Sequence, residues 1–328
     1  MARSSGVGSM PGTDFAESAR IALGEADIPF LPELPDRGPH AAMIGRALGL
    51  ITDLGADLQP DGWRIGVGQG IDQRRARSLL VQDLDVVEEL SEGHDGALKV
   101  QVAGPLTLAA TVEHPRGDKV LADHGARREL TEAFVIGLRD HVADLTRRFP
   151  RADLIVQIDE PSSRAVLDGM VRTASGFRTH RSLDAPEADA LLRPVADAVT
   201  AAGAIPVVHM CAADVPVALL RGAGFAGISF DLSLARPDDA WAEAFQDAVD
   251  LWIGAVPSAT PERAPAAGQV GERIARFFGA LGYEPESFAD RLIVTPACGV
   301  AGASAAWARG ALALARATAR EFSTPQVD

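Results

Sequence analysis

Cysteine is nearly absent from this sequence, with two in 328 residues. So few thiols exclude a disulfide framework and fit a reducing compartment. No apolar run approaches the ~20 residues a membrane-spanning helix needs, so no membrane association is expected. The opening MARSSGVGSMPG lacks the apolar middle of an export signal, which makes the cytoplasm the expected location. Positive charge is also short. Lys and Arg number 31 against 45 Asp and Glu, a net charge of −14. A nucleic-acid partner, which needs a clustered basic face, is therefore not expected. The glycine-rich dinucleotide fingerprint is missing too, because GVGSMPG does not match GxGxxG.

What the sequence does contain is a recurring short β-like run, mostly followed by a helical segment. The runs are GVGSM (6–10), IPFLPEL (28–34), LKVQVAGP (98–105), DLIVQIDEP (153–161), AIPVVHMC (204–211), AGISFDLS (226–233), VDLWIGAV (249–256) and RLIVTPACG (291–299). Most are continuous Val/Ile/Leu stretches, the mark of parallel strands covered on both faces. Between them, residues 126–149 repeat apolar side chains at Leu130, Phe134, Leu138, Val142 and Leu145, one face of a helix. Residues 184–203 start acidic and end in Gly, and 303–321 would close the chain helically. Eight strands with intervening helices predict an α/β fold, a single (β/α)8 TIM barrel over residues 1–328. A doubly wound open sheet is the alternative. Residues 256–269 read as a surface loop, and 53–76 as a hairpin or lid.

In a barrel of this kind chemistry gathers where the strands end. The polar residues there are Ser9, Glu33, Asp159 with Glu160, His209 with Cys211, Asp231, and Cys298. His209 and Cys211 are two apart on a strand and so share a face. Imidazole and thiolate are the softer ligands that zinc prefers. Each residue alone is as well explained by packing. Together, the whole thiol inventory of the chain falls beside a histidine at one rim, a Cys2His zinc site with one position left for a carboxylate or an incoming ligand. Asp231 is the candidate fourth ligand, with a helix cap or loop acid as the equal alternative. Glu33 lies between two prolines, where the backbone is stiff, and could bind a cationic amine. Asp159 shares the strand phase of Gln157 and Ile155 and is the residue of its pair expected to face inward.

These motifs resemble the catalytic barrel of the cobalamin-independent methionine synthase family. VGSMP is similar to that family's Ile-Gly-Ser-Phe-Pro, QIDEP to its fourth-strand motif, VHMC to its zinc-binding His-Met-Cys, and TPACG to its Asn-Pro-Asp-Cys-Gly. The resemblance runs through nearly the whole chain in order. It implies Zn2+ on His209, Cys211 and Cys298, with Asp231 where the family has a glutamate ligand. It also implies that Val7 and Ser9 hold an amino acid's carboxylate through their backbones, and that Glu33 and Asp159 grip its α-amino group. The implied reaction is methyl transfer to a homocysteine-like thiol to give methionine. Two departures concern the methyl donor. Family enzymes have a second, N-terminal barrel that helps bind folate, whereas this sequence has strands for one. They also have a histidine after the seventh strand, where this chain reads IGAVPSATP. The donor is accordingly folate or a methyl-corrinoid, the latter presented by a partner protein. Another thiol or corrinoid methyltransferase of the wider superfamily, or a non-catalytic amino-acid or metal-binding barrel, are the competing expectations.

Overall fold

The computed structural model describes residues 1–115 and 117–322. Its centre is a curled, seven-stranded, all-parallel sheet flanked by helices. The chain's strands are β1 (Arg3–Ser4), β2 (Gly55–Gln59), β3 (Gly62–Gly66), β4 (Gly96–Ala103), β5 (Ala152–Asp159), β6 (Ile205–Met210), β7 (Gly227–Asp231), β8 (Asp250–Val256) and β9 (Leu292–Pro296). The parallel sheet runs in the order β1-β9-β8-β7-β6-β5-β4, while β2 and β3 form a separate antiparallel hairpin. Six of the expected strands thus lie within a few residues of their predicted bounds, and the 53–76 excursion is a hairpin leading into the helix Ile71–Leu90.

Two expected strands differ. Residues 6–10 are not the first strand, which is the shorter Arg3–Ser4 just before them. Close packing requires glycine at Gly6, since a Cβ there would collide with the Phe30 ring. Residues 28–34 do not form a regular strand either. They bridge β1 and β4 only at isolated pairs, Ser5 with Ile28, Ser9 with Glu33, and Phe30 with Lys99. Pro29 and Pro32 have no N–H to donate, so a continuous ladder cannot form. The architecture is therefore TIM-like, with seven laddered strands in place of the eight expected.

Helix signals at the sequence level are honoured locally. Asp184 caps the helix Ala185–Ala201 in a reciprocal capping box with Glu187. The long helix His124–Arg148 buries Leu130, Phe134, Leu138, Val142 and Leu145, the predicted apolar face. The main core lies between the sheet and these helices. A smaller cluster of Ile28, Ile155, Val207, Trp252 and Ile293 fills the inside of the curl. Above that apolar plug the interior turns polar, with buried Lys99, Gln101, Gln157, His209, Ser229 and Thr295. That polar layer is the floor of the site.

Candidate metal and amino-acid site

A cavity of about 340 Å³ opens where the strands end, lined among others by Val7, Ser9, Glu33, Asp159, His209, Cys211 and Cys298. Seven of the eight residues expected to bind metal or substrate therefore share one wall-to-wall space. Its remaining lining, Pro35, Ala42, Met43 and Pro161, is mostly apolar.

His209, Cys211 and Cys298 place their ligand atoms within 4.8 Å of one another. Strand alternation points His209 and Cys211 the same way, as their spacing requires. Cys298 arrives from the loop after β9, and the two sulfurs are 3.0 Å apart. The hydrogen bond between them pushes the pKa values of the two thiols apart, Cys211 up and Cys298 down, with His209 also lowering Cys298. On the histidine, Nδ1 lies 2.9 Å from Ser229 Oγ. With Nδ1–H donated there, Nε2 carries the free lone pair. That atom is buried and has no hydrogen-bond partner. A buried unpaired acceptor costs about 1–3 kcal/mol unless something binds it. An orphaned imidazole nitrogen beside two sulfurs is a donor set that suits zinc.

Ser229 is the outer partner that fixes the imidazole, and outer partners of this type are worth roughly 10–100-fold in metal affinity. Replacing it by alanine is expected to weaken zinc binding by about tenfold in a chelator competition without unfolding the protein.

Asp231, the expected fourth ligand, stands outside this cluster among the described residues. Its Oδ1 accepts from the backbone N–H of Ser233 at 2.8 Å and from Ser233 Oγ at 2.6 Å. A short side chain at the start of a turn satisfies its own backbone first, and this carboxylate does so.

Carboxylates line the same cavity beside the cluster, Asp159 standing in register with His209 on the neighbouring strand. Glu33 and Asp159 are both buried. Burial raises Glu33, opposed by the nearby Arg46 guanidinium. Burial also raises Asp159, to about 7, opposed by His209 and Lys99 and reinforced by Glu33. Gln157 Nε2 donates to Asp159 Oδ1 at 2.7 Å, and Gln101 Nε2 to Glu33 Oε1 at 3.3 Å. Lys99 is fully buried below them, and burial lowers it to about 7. Its Nζ donates to the Val7 carbonyl at 2.7 Å, where Gln157 Nε2 also donates at 2.9 Å. The Val7 turn is thereby fixed from below. Ser9 is held by Val300 N–H, which donates to its carbonyl at 2.8 Å, and it packs so tightly on Gly299 that a Cβ there would strike Ser9 Oγ. Glu160 turns away from the cavity. It accepts from Leu106 N, Thr107 N and Thr107 Oγ, anchoring the start of the helix Pro105–Thr111.

Sequence reading overlooked Lys99, Gln101 and Ser229, and took Gln157 only as a marker of the inward phase. The signal was a period of two inside apolar runs, Lys99-Val100-Gln101 and Gln157-Ile158-Asp159, which assigns those polar side chains to the inner face. It also overlooked Arg46, which no local pattern ties to Glu33.

A TIM-like α/β fold carrying a His-Cys-Cys cluster and two buried carboxylates in one rim cavity defines a class, barrel proteins with a soft-metal type of donor set at the strand ends. Residues 82–321 match the family described as cobalamin-independent synthase, catalytic domain. The chain belongs to that family. Among solved structures, it is similar to a B12-independent methionine synthase from Shewanella sp. W3-18-1 in complex with selenomethionine, at 15% identity and a TM-score of 0.64. That likeness covers 98% of this chain and 97% of the other, and it supports the fold. A D-psicose 3-epimerase from Clostridium cellulolyticum H10 is far more distant, at 14% identity and a TM-score of 0.31 over 73% of this chain and 91% of that one. No curated protein matches the chain.

Proposed function

We propose that the protein is a zinc-dependent methyltransferase that methylates the sulfur of homocysteine, or of a closely similar thiol, to give methionine or its analogue. The observation that carries this reading is the cavity itself. Three residues of soft-metal donor type and two buried carboxylates line one cavity, a combination that suits an amino acid with a thiol side chain. The family membership agrees with it.

His209, Cys211 and Cys298 would hold Zn2+, and Asp231 would have to leave Ser233 to join them. Bound zinc supplies one thing here, the positive charge that keeps an incoming thiol deprotonated near neutral pH while its sulfur stays nucleophilic. The chain's own residues do the rest. Glu33 and Asp159 receive the α-ammonium group, and the Val7–Ser9 turn receives the carboxylate. Fixing the amino acid at one end directs its sulfur toward the metal ligands and holds it for in-line attack. A carbon–sulfur bond forms to the methyl group as the donor–methyl bond breaks and its electron pair leaves with the donor. The thiol proton goes to solvent. The donor is a methylfolate or a methyl-corrinoid carried by a partner. A cytoplasmic location is proposed from the two unpaired cysteines. Among the described residues no helix is long and apolar enough to cross a membrane.

Incubating zinc-loaded protein with homocysteine and either methyltetrahydrofolate or methylcobalamin tests the proposal, with methionine as the readout. Turnover with one donor identifies it. Homocysteine binding without turnover on either donor, even with added cell extract, would favour the binding-protein alternative.

The buried carboxylates also predict a pH dependence. Asp159 titrates near 7 in the free protein because burial disfavours its anion. A proton there competes with the ammonium group. Affinity for homocysteine is therefore expected to fall as pH drops through about 7, measured by calorimetry from pH 8 to 5.5. A flat profile would mean that Asp159 does not contact the amine.

A further inference from the structure

Glu33 does not stand alone. Asp83, on the helix Ile71–Leu90, is buried outside the sheet, 2% exposed. Its carboxylate accepts from Arg37 Nη1 at 2.9 Å and Nη2 at 2.6 Å, and from Arg46 Nη1 at 3.0 Å. Arg46, on the helix Met43–Leu50 and 3% exposed, points its Nε to within 3.5 Å of Glu33 Oε1. A continuous line of charge, Arg37–Asp83–Arg46–Glu33, thus leads from the back of the barrel into the cavity.

Charge counting gives this line its meaning. Two guanidinium groups face two carboxylates, so the buried group is neutral only while Glu33 is ionised. Asp83 already receives two bonds from Arg37, and Arg46 Nε and Nη2 have no hydrogen-bond partner. The uncompensated part of the Arg46 charge therefore falls on Glu33. Removing either partner of a buried pair leaves the other exposed to its full desolvation cost. Arg37 and Arg46 also staple both ends of the segment that carries Pro35, Ala42 and Met43, three residues of the cavity wall.

We infer that Asp83 and Arg46 are positioning residues of the amino-acid pocket that never touch the ligand: Arg46 holds the Glu33 carboxylate in place and favours its ionised form, and Asp83 holds Arg46 and tempers its charge. This rests on the role proposed above for Glu33. Other charges face the group as well. Lys99 approaches Glu33 from β4, Asp159 lies across on β5, and His141 on the helix His124–Arg148 is close enough to Arg46 to be lowered by it after burial itself. Of these, only Asp83 and Arg46 form the line to the back of the barrel, and they push Glu33 in opposite directions, Arg46 down and Asp83 up.

That opposition is the test. Carboxyl-13C glutamate labelling follows the Glu33 titration by NMR, with Glu33→Gln assigning the signal. Arg46→Gln should move the Glu33 midpoint to higher pH. Asp83→Asn should move it to lower pH, because the full Arg46 charge then acts on Glu33. Arg46→Lys should leave it near wild type. Shifts in one direction for both neutral variants, or no shift in either, would overturn the inference. If Asp83→Asn does not fold, the contrast between Arg46→Gln and Arg46→Lys decides alone. The KM for homocysteine should rise about tenfold in Arg46→Gln with kcat within about twofold and zinc content unchanged. Expected NMR shifts with an unchanged KM would uphold the charge line and refute the substrate role given to Glu33.

Discussion

Cys211→Ser and Cys298→Ser are each expected to lose zinc. Wild-type protein purified without added metal should contain about one zinc ion per chain, and either variant almost none after dialysis against a weak chelator. Structural zinc sites bind with about 10–16 kcal/mol, so removing one of a few ligands costs roughly 3 kcal/mol, or about 100-fold in affinity. The expectation follows from the 4.8 Å grouping of the three ligand atoms and from the unpaired His209 Nε2. Serine is nearly isosteric, so the fold should survive, and circular dichroism and thermal melting should report a native protein. Methyl transfer should disappear with the metal. Metal analysis gives the result directly, and zinc retained at wild-type stoichiometry in both variants would remove the site.

Glu33→Ala should have the second large effect, of a different kind. Truncating one side of a buried charge pair typically costs 2–5 kcal/mol, so the Kd for homocysteine should rise by about 30-fold or more. Zinc content should be unchanged, since Glu33 is not one of the three clustered ligands. Arg46 would also lose its carboxylate partner, so the melting temperature should drop. Calorimetry with homocysteine and metal analysis on one preparation separate the outcomes. Loss of both zinc and homocysteine binding would show that Glu33 supports the metal site, contrary to the division of labour described here.

Much of this was legible before any coordinates. The apolar runs ending in polar residues located six strands and the rim, and the spacing of His209 and Cys211 put both on one face. The approach of Cys298, 87 residues further on, was expected from its place at the end of the last strand on the same rim. The irregular segment 28–34 was misread as a full strand, although its two prolines were visible and forbid a ladder. Asp231 was read by its place at a strand end, and its bonds to Ser233 lie too close in sequence for that reading to have included them. The inner polar layer was hidden by runs that are apolar overall, since each strand shows its inner face only at alternate positions. The Asp83–Arg46 contact spans 37 residues and joins two helices, so no periodicity announces it. Local chemistry was readable, and partnerships made by folding were not.

X-ray absorption at the zinc edge tests the central claim most directly. Zinc-loaded protein should show two sulfur ligands near ~2.3 Å and a histidine nitrogen near ~2.0 Å. Added homocysteine should raise the sulfur count to three. A count that stays at two in saturating homocysteine, or a metal shell without sulfur, would contradict it.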